Sequence, residues 1–406
     1  MSQRLVGPSN EQSGGAPSNE RVLLAALRGH GAVTRAELAG LTALPKTTVA
    51  GVVNRLLTAG VVVERPVADR GRASRAGRPP MVLDLAEPAG FVAVLSLTHV
   101  GMRVAVASFD GVIRGRRDIP MDVLYAAGGV VGPGVRRLAE ILVDAGVNAG
   151  QLDCAVIGVP APFTRGAGSA MAPIREPSPE PVTQRRALLA GLRPDPAIEL
   201  GDRLGVPASA DNDANLAALG EAVFGAGRGV DNFVYLKVVD GVGVGLILNG
   251  RLYRGAQGLA GELAHVQVRD DGPWCACGGR GCLRSVVGFS MVAVLEPAYQ
   301  RPVAFGEVLA LVAAGDPGIR RILSDAGRRI GRVLADVCVV LNPEAIVVDG
   351  MLRAAAEPFL AGVRDAIERH TPNNIGQGVR LLAGELGEEA EILGAVALAG
   401  AELVDR

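Results

Sequence analysis

Residues 261–284 read GELAHVQVRDDGPWCACGGRGCLR. Within them His265 is followed by Cys275, Cys277 and Cys282. Three thiolates and one imidazole make a closed four-ligand set, the donor chemistry of a structural zinc rather than of a catalytic metal with an open position. Three cysteines within eight residues, interleaved with glycine, do not read as ordinary core cysteines. The other two, Cys154 and Cys338, lie in apolar runs and are expected to be buried and inert. Five cysteines placed this way make no disulfide scaffold and indicate metal in a reducing compartment.

Outward from this loop the pattern is α/β. Strands are predicted at Phe91–Leu97, Met102–Phe109, Cys154–Val159 and Asn232–Val238, with a tight turn at Asp110-Gly111 and a helix over Val131–Ala145. A glycine-alternating run, Gly241–Gly245, precedes Leu246–Gly250. Hairpins alternating with helices over about three hundred residues predict two α/β subdomains facing a cleft. No repeat of about 20 to 50 residues is visible.

The front of the chain differs. Residues 1–80 hold eleven basic side chains against five acids, a net +6, which leaves −7 on residues 81–406 for a whole-chain charge of −1. A basic front on an acidic body suits a front that meets a polyanion; a solvated charged face is the alternative. Arginine dominates, with lysine only at Lys46 and Lys237, so arginine usage by itself carries no weight. Asn19 can cap a helix from about Glu20 to Arg28. Thr34 and Glu37 form a capping box for a helix over Arg35–Leu41, which is expected to bury Leu38 and Leu41. Pro45 suits the first turn of a third helix, where Val49, Val52, Val53, Leu56 and Leu57 make one apolar stripe. Strands at 61–65 and 81–85 flank an arginine-rich loop. Three helices and then a hairpin is the order of a winged helix-turn-helix. Its third helix would offer Lys46, Thr47, Thr48, Gly51, Asn54 and Arg55 to the major groove of double-stranded DNA, and the loop Arg70, Arg72, Arg75 and Arg78 to phosphates or the minor groove. The same core pattern also serves a three-helix protein-interaction module; the polar outer face and arginine run favour DNA.

Composition excludes several classes. The 406 residues are 49% hydrophobic and 20% charged, ample for a core and inconsistent with global disorder. No apolar run reaches the roughly 18 residues that cross a bilayer. The first twenty residues are polar and lack the apolar segment of a secretory signal, so a cytoplasmic protein is expected.

Four segments together resemble the ROK family of repressors, open reading frames and sugar kinases. Gly261-Glu262-Leu263-Ala264-His265 is similar to its ExGH motif, and the run from Cys275 to Cys282 to its CxCGxxGCxE zinc signature. Asp211-Asn212-Asp213-Ala214-Asn215, continuing to Glu221, resembles its ENDANxAxxxE segment. Gly158–Pro162 resembles its GxPGP sugar loop, and the head followed by Gly77-Arg78-Pro79 resembles the layout of ROK repressors. The resemblance implies an actin/hexokinase-like two-lobed body with a sugar between the lobes. It implies that Asn212, Asp213 and Glu262 meet sugar hydroxyls, that Asp213 is the general base in a kinase, and that His265 holds zinc through one nitrogen and faces the sugar with the other.

The sequence also departs from that family. Ser96, Thr98 and Val100 stand where a ROK kinase carries the aspartate, glycine and threonine of its DxGxT turn. Asp240 would repel phosphates at the second phosphate loop, and Val348-Asp349-Gly350-Met351 replaces paired glycines on the adenosine side. These changes argue against phosphoryl transfer. Ala161 replaces a glycine of the sugar loop. Arg284 replaces the signature's final glutamate, so the ligand is a sugar acid or sugar phosphate, or else Arg284 pairs internally with Glu262.

The expected organisation is a tail over 1–19, a winged helix-turn-helix over 20–86 and a ROK body over 87–406. The expected function is a DNA-binding repressor, a homodimer or homotetramer with one structural zinc per chain (His265, Cys275, Cys277, Cys282). The expected ligand residues are Ala161, Asn212, Asp213, Glu262, His265 and Arg284, around a carbohydrate-like effector. The alternatives are an ATP-dependent sugar kinase with a fused head, and a zinc- or redox-responsive regulator.

Overall fold

The computed structural model describes residues 19, 22, 23, 26, 27, 32–58, 62–66, 81–85, 90–98, 100–127, 129–165, 168–169, 192, 195–238, 241–275, 277–287, 299–300, 307–350 and 356–404. Residues 1–18 of the expected 1–19 tail, the loop arginines Arg70, Arg72, Arg75 and Arg78, and His99, Asp240 and Met351 lie outside the described residues. The chain divides into two compact units, Met1–Pro88 and Ala89–Arg406.

In the first unit Asn19, Val22, Leu23, Ala26 and Leu27 are helical, with Leu23 and Leu27 buried. Helix α1, Arg35–Thr42, opens on the expected capping box. The Thr34 hydroxyl accepts from the Glu37 amide, while the Glu37 carboxylate accepts from the Thr34 amide at 2.7 Å. Helix α2, Lys46–Thr58, buries Val49, Val52, Val53 and Leu56, and strands β1, Val62–Pro66, and β2, Met81–Leu85, pair antiparallel. Val33 adds a bridge to Leu83 of β2. The expected burial of Leu41 is corrected: it is 45% exposed, because the buried arc of α1 centres on Leu38 and Ala39. At about 100° per residue Leu41 points roughly 110° away from that centre.

The second unit begins with strands β3, Phe91–Leu97, β4, Gly101–Ser108, and β5, Ile113–Pro120. Helix α3, Val131–Ala145, leads to β6, Leu152–Val159; a short pair, β7, Phe163–Thr164, and β8, Gly168–Ser169, follows. Helix α4, Pro196–Leu204, precedes β9, Ala208–Asn212, which runs straight into helix α5, Asp213–Phe224. Strands β10, Phe233–Val238, β11, Val242–Leu248, and β12, Arg251–Leu252, come next. The long helix α6, Pro317–Leu341, then β13, Ala345–Gly350, α7, Ala356–His370, β14, Arg380–Ala383, and α8, Ala390–Val404, are the main elements that follow.

Among the described residues the two main sheets have one design. Their orders are β5-β4-β3-β6-β9 and β12-β11-β10-β13-β14. Each is a three-stranded antiparallel meander whose first strand also pairs parallel with the fourth, and the fourth with the fifth. Parallel neighbours need long crossovers, and helices supply them here: α3 and α4 for the first sheet, α6 and α7 for the second. Helix α8 packs on β3, β4 and β6, α5 packs on β10 and β11, and the two helices pack on each other, forming a shared layer between the sheets. Their crossing depends on glycine: a β-carbon at Gly394 would lie 1.6 Å from the Leu216 carbonyl oxygen, and one at Gly220 would lie 2.2 Å from that of Ala390.

The glycine-alternating run, to which the sequence pattern assigns no element, belongs to a strand. Val242–Leu248 is strand, with Lys237 opposite Gly243 and Tyr235 opposite Gly245. The glycines leave room for α5: a β-carbon at Gly245 would sit 2.5 Å from that of Ala218. Cys154 and Cys338 are buried in apolar clusters, as expected.

Candidate ligand cleft and cysteine cluster

The C-terminal ends of parallel strands in an α/β sheet leave a crevice where ligands bind. Here the ends of β6 and β9, the N-terminus of α5, Lys237 of β10 and residues 241–244 at the start of β11 enclose an open cleft of about 630 Å³. Ala161, Asn212, Asp213, Glu262, His265 and Arg284 all line it, so the fold brings the expected ligand residues together.

Their states differ. Asn212 is the N-cap of α5: its Oδ1 accepts from the Ala214 and Asn215 amides at 2.9 and 3.2 Å. Its Nδ2 donates to the carbonyls of Ala161 and Val159 at 3.0 and 3.4 Å. The amide is therefore engaged with backbone and fixes the 159–161 loop to α5. Asp213 is buried, and its Oδ2 accepts from Lys237 Nζ at 2.6 Å. Lys237 Nζ donates also to Glu391 Oε1, and Ser96 Oγ donates to Glu391 Oε2. Ser96 on β3, Glu391 on α8, Lys237 on β10 and Asp213 on α5 thus form one polar chain that ties the two sheets together beneath the cleft. Burial pulls the Lys237 pKa down, but the Asp213 and Glu391 carboxylates outweigh it and hold the ammonium above its ordinary range.

Glu262 lies on the far wall. Burial and the Asp213 charge push its pKa up to about 7, against the opposing pull of Arg284. Its Oε2 stands 4.0 Å from His265 Nε2, while His265 Nδ1 lies 3.5 Å from Cys275 Sγ. One imidazole nitrogen therefore faces the thiols and the other faces the cleft. Burial and the nearby Arg284 charge lower the His265 pKa, which favours the neutral imidazole that a metal needs.

The donor atoms of His265, Cys275, Cys277 and Cys282 all lie within 4.8 Å of one another. Sulfurs bound to one zinc at about 2.3 Å in tetrahedral geometry are about 3.8 Å apart; Cys277 and Cys282 Sγ are separated by 3.7 Å. The loop holds this spacing through Cys275 N–H to Gly279 O at 2.8 Å and Gly278 N–H to Cys275 O at 3.0 Å. The cluster fits one metal ion.

Sequence reasoning missed the partners of these residues. Lys237 is a lone charge in an apolar strand of a chain with two lysines, which was a usable signal. Glu391 lies 154 residues away and gave none. Asp211 is a second hub: buried, it accepts from Arg254 Nε at 2.8 Å, Arg165 Nη2 at 3.1 Å and Asn215 Nδ2 at 2.9 Å. Glu221 is also buried and accepts from the Ala226 and Leu386 amides at 2.7 and 2.9 Å, a clasp between loops. Asp349 is buried and accepts from the Tyr235 hydroxyl at 3.2 Å. The Arg284–Glu262 ion pair, one of the two alternatives for Arg284, is not formed; Arg284 has no ion pair or hydrogen bond among the described residues. In the first unit Lys46, Thr47, Gly51, Asn54 and Arg55 are exposed on α2 and Thr48 is half-buried. Arg35 holds Asn54 Oδ1 at 3.2 Å.

Comparison with known proteins agrees with this architecture. The ROK family profile matches residues 190–402. The xylose repressor of Bacillus subtilis (strain 168) is 25% identical over 378 residues, 93% of each chain. The glucokinase of Thermotoga maritima is 32% identical over 218 residues, 49% of this chain and 68% of its own. Among solved structures, a ROK family transcriptional regulator, a homologue of the E. coli MLC protein, superposes with a TM-score of 0.72 at 21% identity over 95% of this chain and 98% of its own. The ROK hexokinase of Thermus thermophilus gives 0.57 at 27% identity, over 77% and 99%. With a profile that spans more than half of the residues and a body shared by regulator and kinase alike, this chain belongs to the ROK family.

Proposed function

We propose that the chain is a sugar-responsive transcriptional repressor in which residues 20–86 are a winged helix-turn-helix that binds double-stranded DNA. One observation carries the reading. The similarity to the xylose repressor takes in 93% of this chain, head included, whereas the glucokinase similarity takes in 49%. The exposed polar face of α2 and the basic front support it further. A carbohydrate-like effector occupies the cleft of the 87–406 body, and one structural zinc on His265, Cys275, Cys277 and Cys282 holds the cleft wall that carries Glu262. The chain works as a homodimer or homotetramer, since paired heads must match half-sites about 34 Å apart. Effector binding changes cleft closure and with it the spacing of the heads; it weakens DNA binding only by its differential affinity for the two forms.

The body does not transfer phosphate in this reading. Ser96 stands in place of an aspartate, and the Asp213 carboxylate, which a kinase needs free for a sugar hydroxyl, is bound by Lys237.

The test is selection of duplexes from a random pool by the full-length chain, followed by fluorescence anisotropy. Specific, salt-dependent binding is expected, with Thr47→Ala/Thr48→Ala relaxing base preference and losing about 1–3 kcal/mol. Failure to enrich any sequence, or indifference to the double substitution, contradicts the reading.

A further inference from the structure

Among the described residues Lys237 and Arg284 are the two cationic side chains that line the cleft, and they are in opposite situations. Lys237 is saturated by two carboxylates. Arg284 extends from the one-turn helix Leu283–Val286, whose Leu283 is buried against the core. Its guanidinium reaches across the cleft, and Nη2 lies 4.0 Å from the point that a β-carbon on Gly241 would occupy. It is half-buried, its charge is felt by Glu262 and His265, and it donates no hydrogen bond among the described residues.

A guanidinium carries five N–H donors in a planar fork. Partial burial without an acceptor is unfavourable, so such a group in a ligand cleft is completed by the ligand. We propose that the effector is a polyhydroxy carboxylate, an aldonic or uronic acid, whose carboxylate pairs with Arg284. This rests on the reading of the cleft as an effector site. Charge decides between the two anions that Arg284 can take. A carboxylate brings a single negative charge and matches the fork through two parallel hydrogen bonds. A phosphate monoester brings about −1.5 to −2. Arg284 is the single unneutralised cation lining the cleft among the described residues, and Asp213 and Glu262 stand nearby. A phosphate dianion would leave charge uncompensated there. Glu262 and the loop carbonyls supply acceptors for hydroxyls, which a simple fatty or amino acid would not use.

The experiment is calorimetric titration of the full-length, zinc-loaded chain with matched probes: glucuronate and gluconate against glucose, xylonate against xylose, and glucose 6-phosphate. One acid is expected to bind about ten- to hundredfold more tightly than its neutral parent. Arg284→Gln is expected to abolish that difference while leaving zinc content and circular dichroism unchanged. Arg284→Lys is expected to recover part of it, having the charge without the fork. Equal binding of parent and acid, tighter binding of the phosphate, no binding of any acid, or acid binding indifferent to Arg284→Gln would each overturn the proposal. Operator binding by the ligand-free chain is scored in parallel. Its retention when the acids fail leaves the repressor reading standing; its loss removes that reading instead.

Discussion

Lys237 sits where two sheets and two helices meet, and its two carboxylate partners come from α5 and α8. Removing one member of a buried ionic group is more costly than never having built it, because the remaining charges stay desolvated. Lys237→Met is therefore expected to destabilise the body by about 3–5 kcal/mol in urea unfolding, and adding Asp213→Asn with Glu391→Gln is expected to recover part of that loss. The pH dependence has a definite sign. The folded-state pKa of Lys237 is raised above the ordinary 10.5, so its contribution is complete below that value and is lost as pH rises through the folded value. The gap between wild type and Lys237→Met should hold from neutral pH to about 10.5 and narrow above it; a constant gap across the alkaline range contradicts the assignment. At this scale, legibility followed distance along the chain. The metal ligands cluster within eighteen residues, from His265 to Cys282, and spacing alone exposes them. The Ser96–Glu391–Lys237–Asp213 chain joins residues up to 295 positions apart, and no local pattern encodes it.

At the scale of elements, the α5–α8 crossing and the cysteine loop do the positioning. A methyl group at Gly394 would meet the Leu216 carbonyl oxygen at 1.6 Å, and backbone cannot move aside as a side chain can. Gly394→Ala is expected to cost about 1–3 kcal/mol or more, read as a lowered midpoint in thermal unfolding; an unchanged midpoint would show that the helices tolerate separation. In the cysteine loop, elemental analysis is expected to find one metal ion per chain, and Cys277→Ser is expected to lose it and to lower stability, because metal affinity at such a site is folding free energy. Full metal content in that variant would exclude Cys277 as a ligand. Helix periodicity and caps made most of these elements readable, the Thr34–Glu37 box among them. The misreadings have physical causes. Leu41 lies in an apolar position of a helix too short to bury a wide arc. The 241–245 run shows no strand pattern in the sequence, because its glycines, which make room for α5, also remove the side chains that mark a strand.

For the whole molecule, the division into two units was legible as a shift in charge and pattern near residue 80, and the α/β character of the second as alternation of hairpins and helices. The duplication of the two sheets was not legible, because what repeats is strand order and not sequence. No helix among the described residues is long and apolar enough to cross a membrane. In the proposed regulator the cleft and the DNA-binding unit are two coupled sites, and coupling is reciprocal: whatever the effector does to DNA affinity, DNA does to effector affinity. The direct measurement is a titration of a selected duplex with the full-length chain, by fluorescence anisotropy, without and with the neutral and acidic sugars at saturating concentration. The account predicts that at least one of them weakens DNA binding by about 5- to 150-fold, and that Arg284→Gln, with unchanged affinity for DNA alone, no longer responds to an acidic one. DNA affinity that stays the same in the presence of every sugar and sugar acid, for a chain shown by calorimetry to bind one of them, would contradict it.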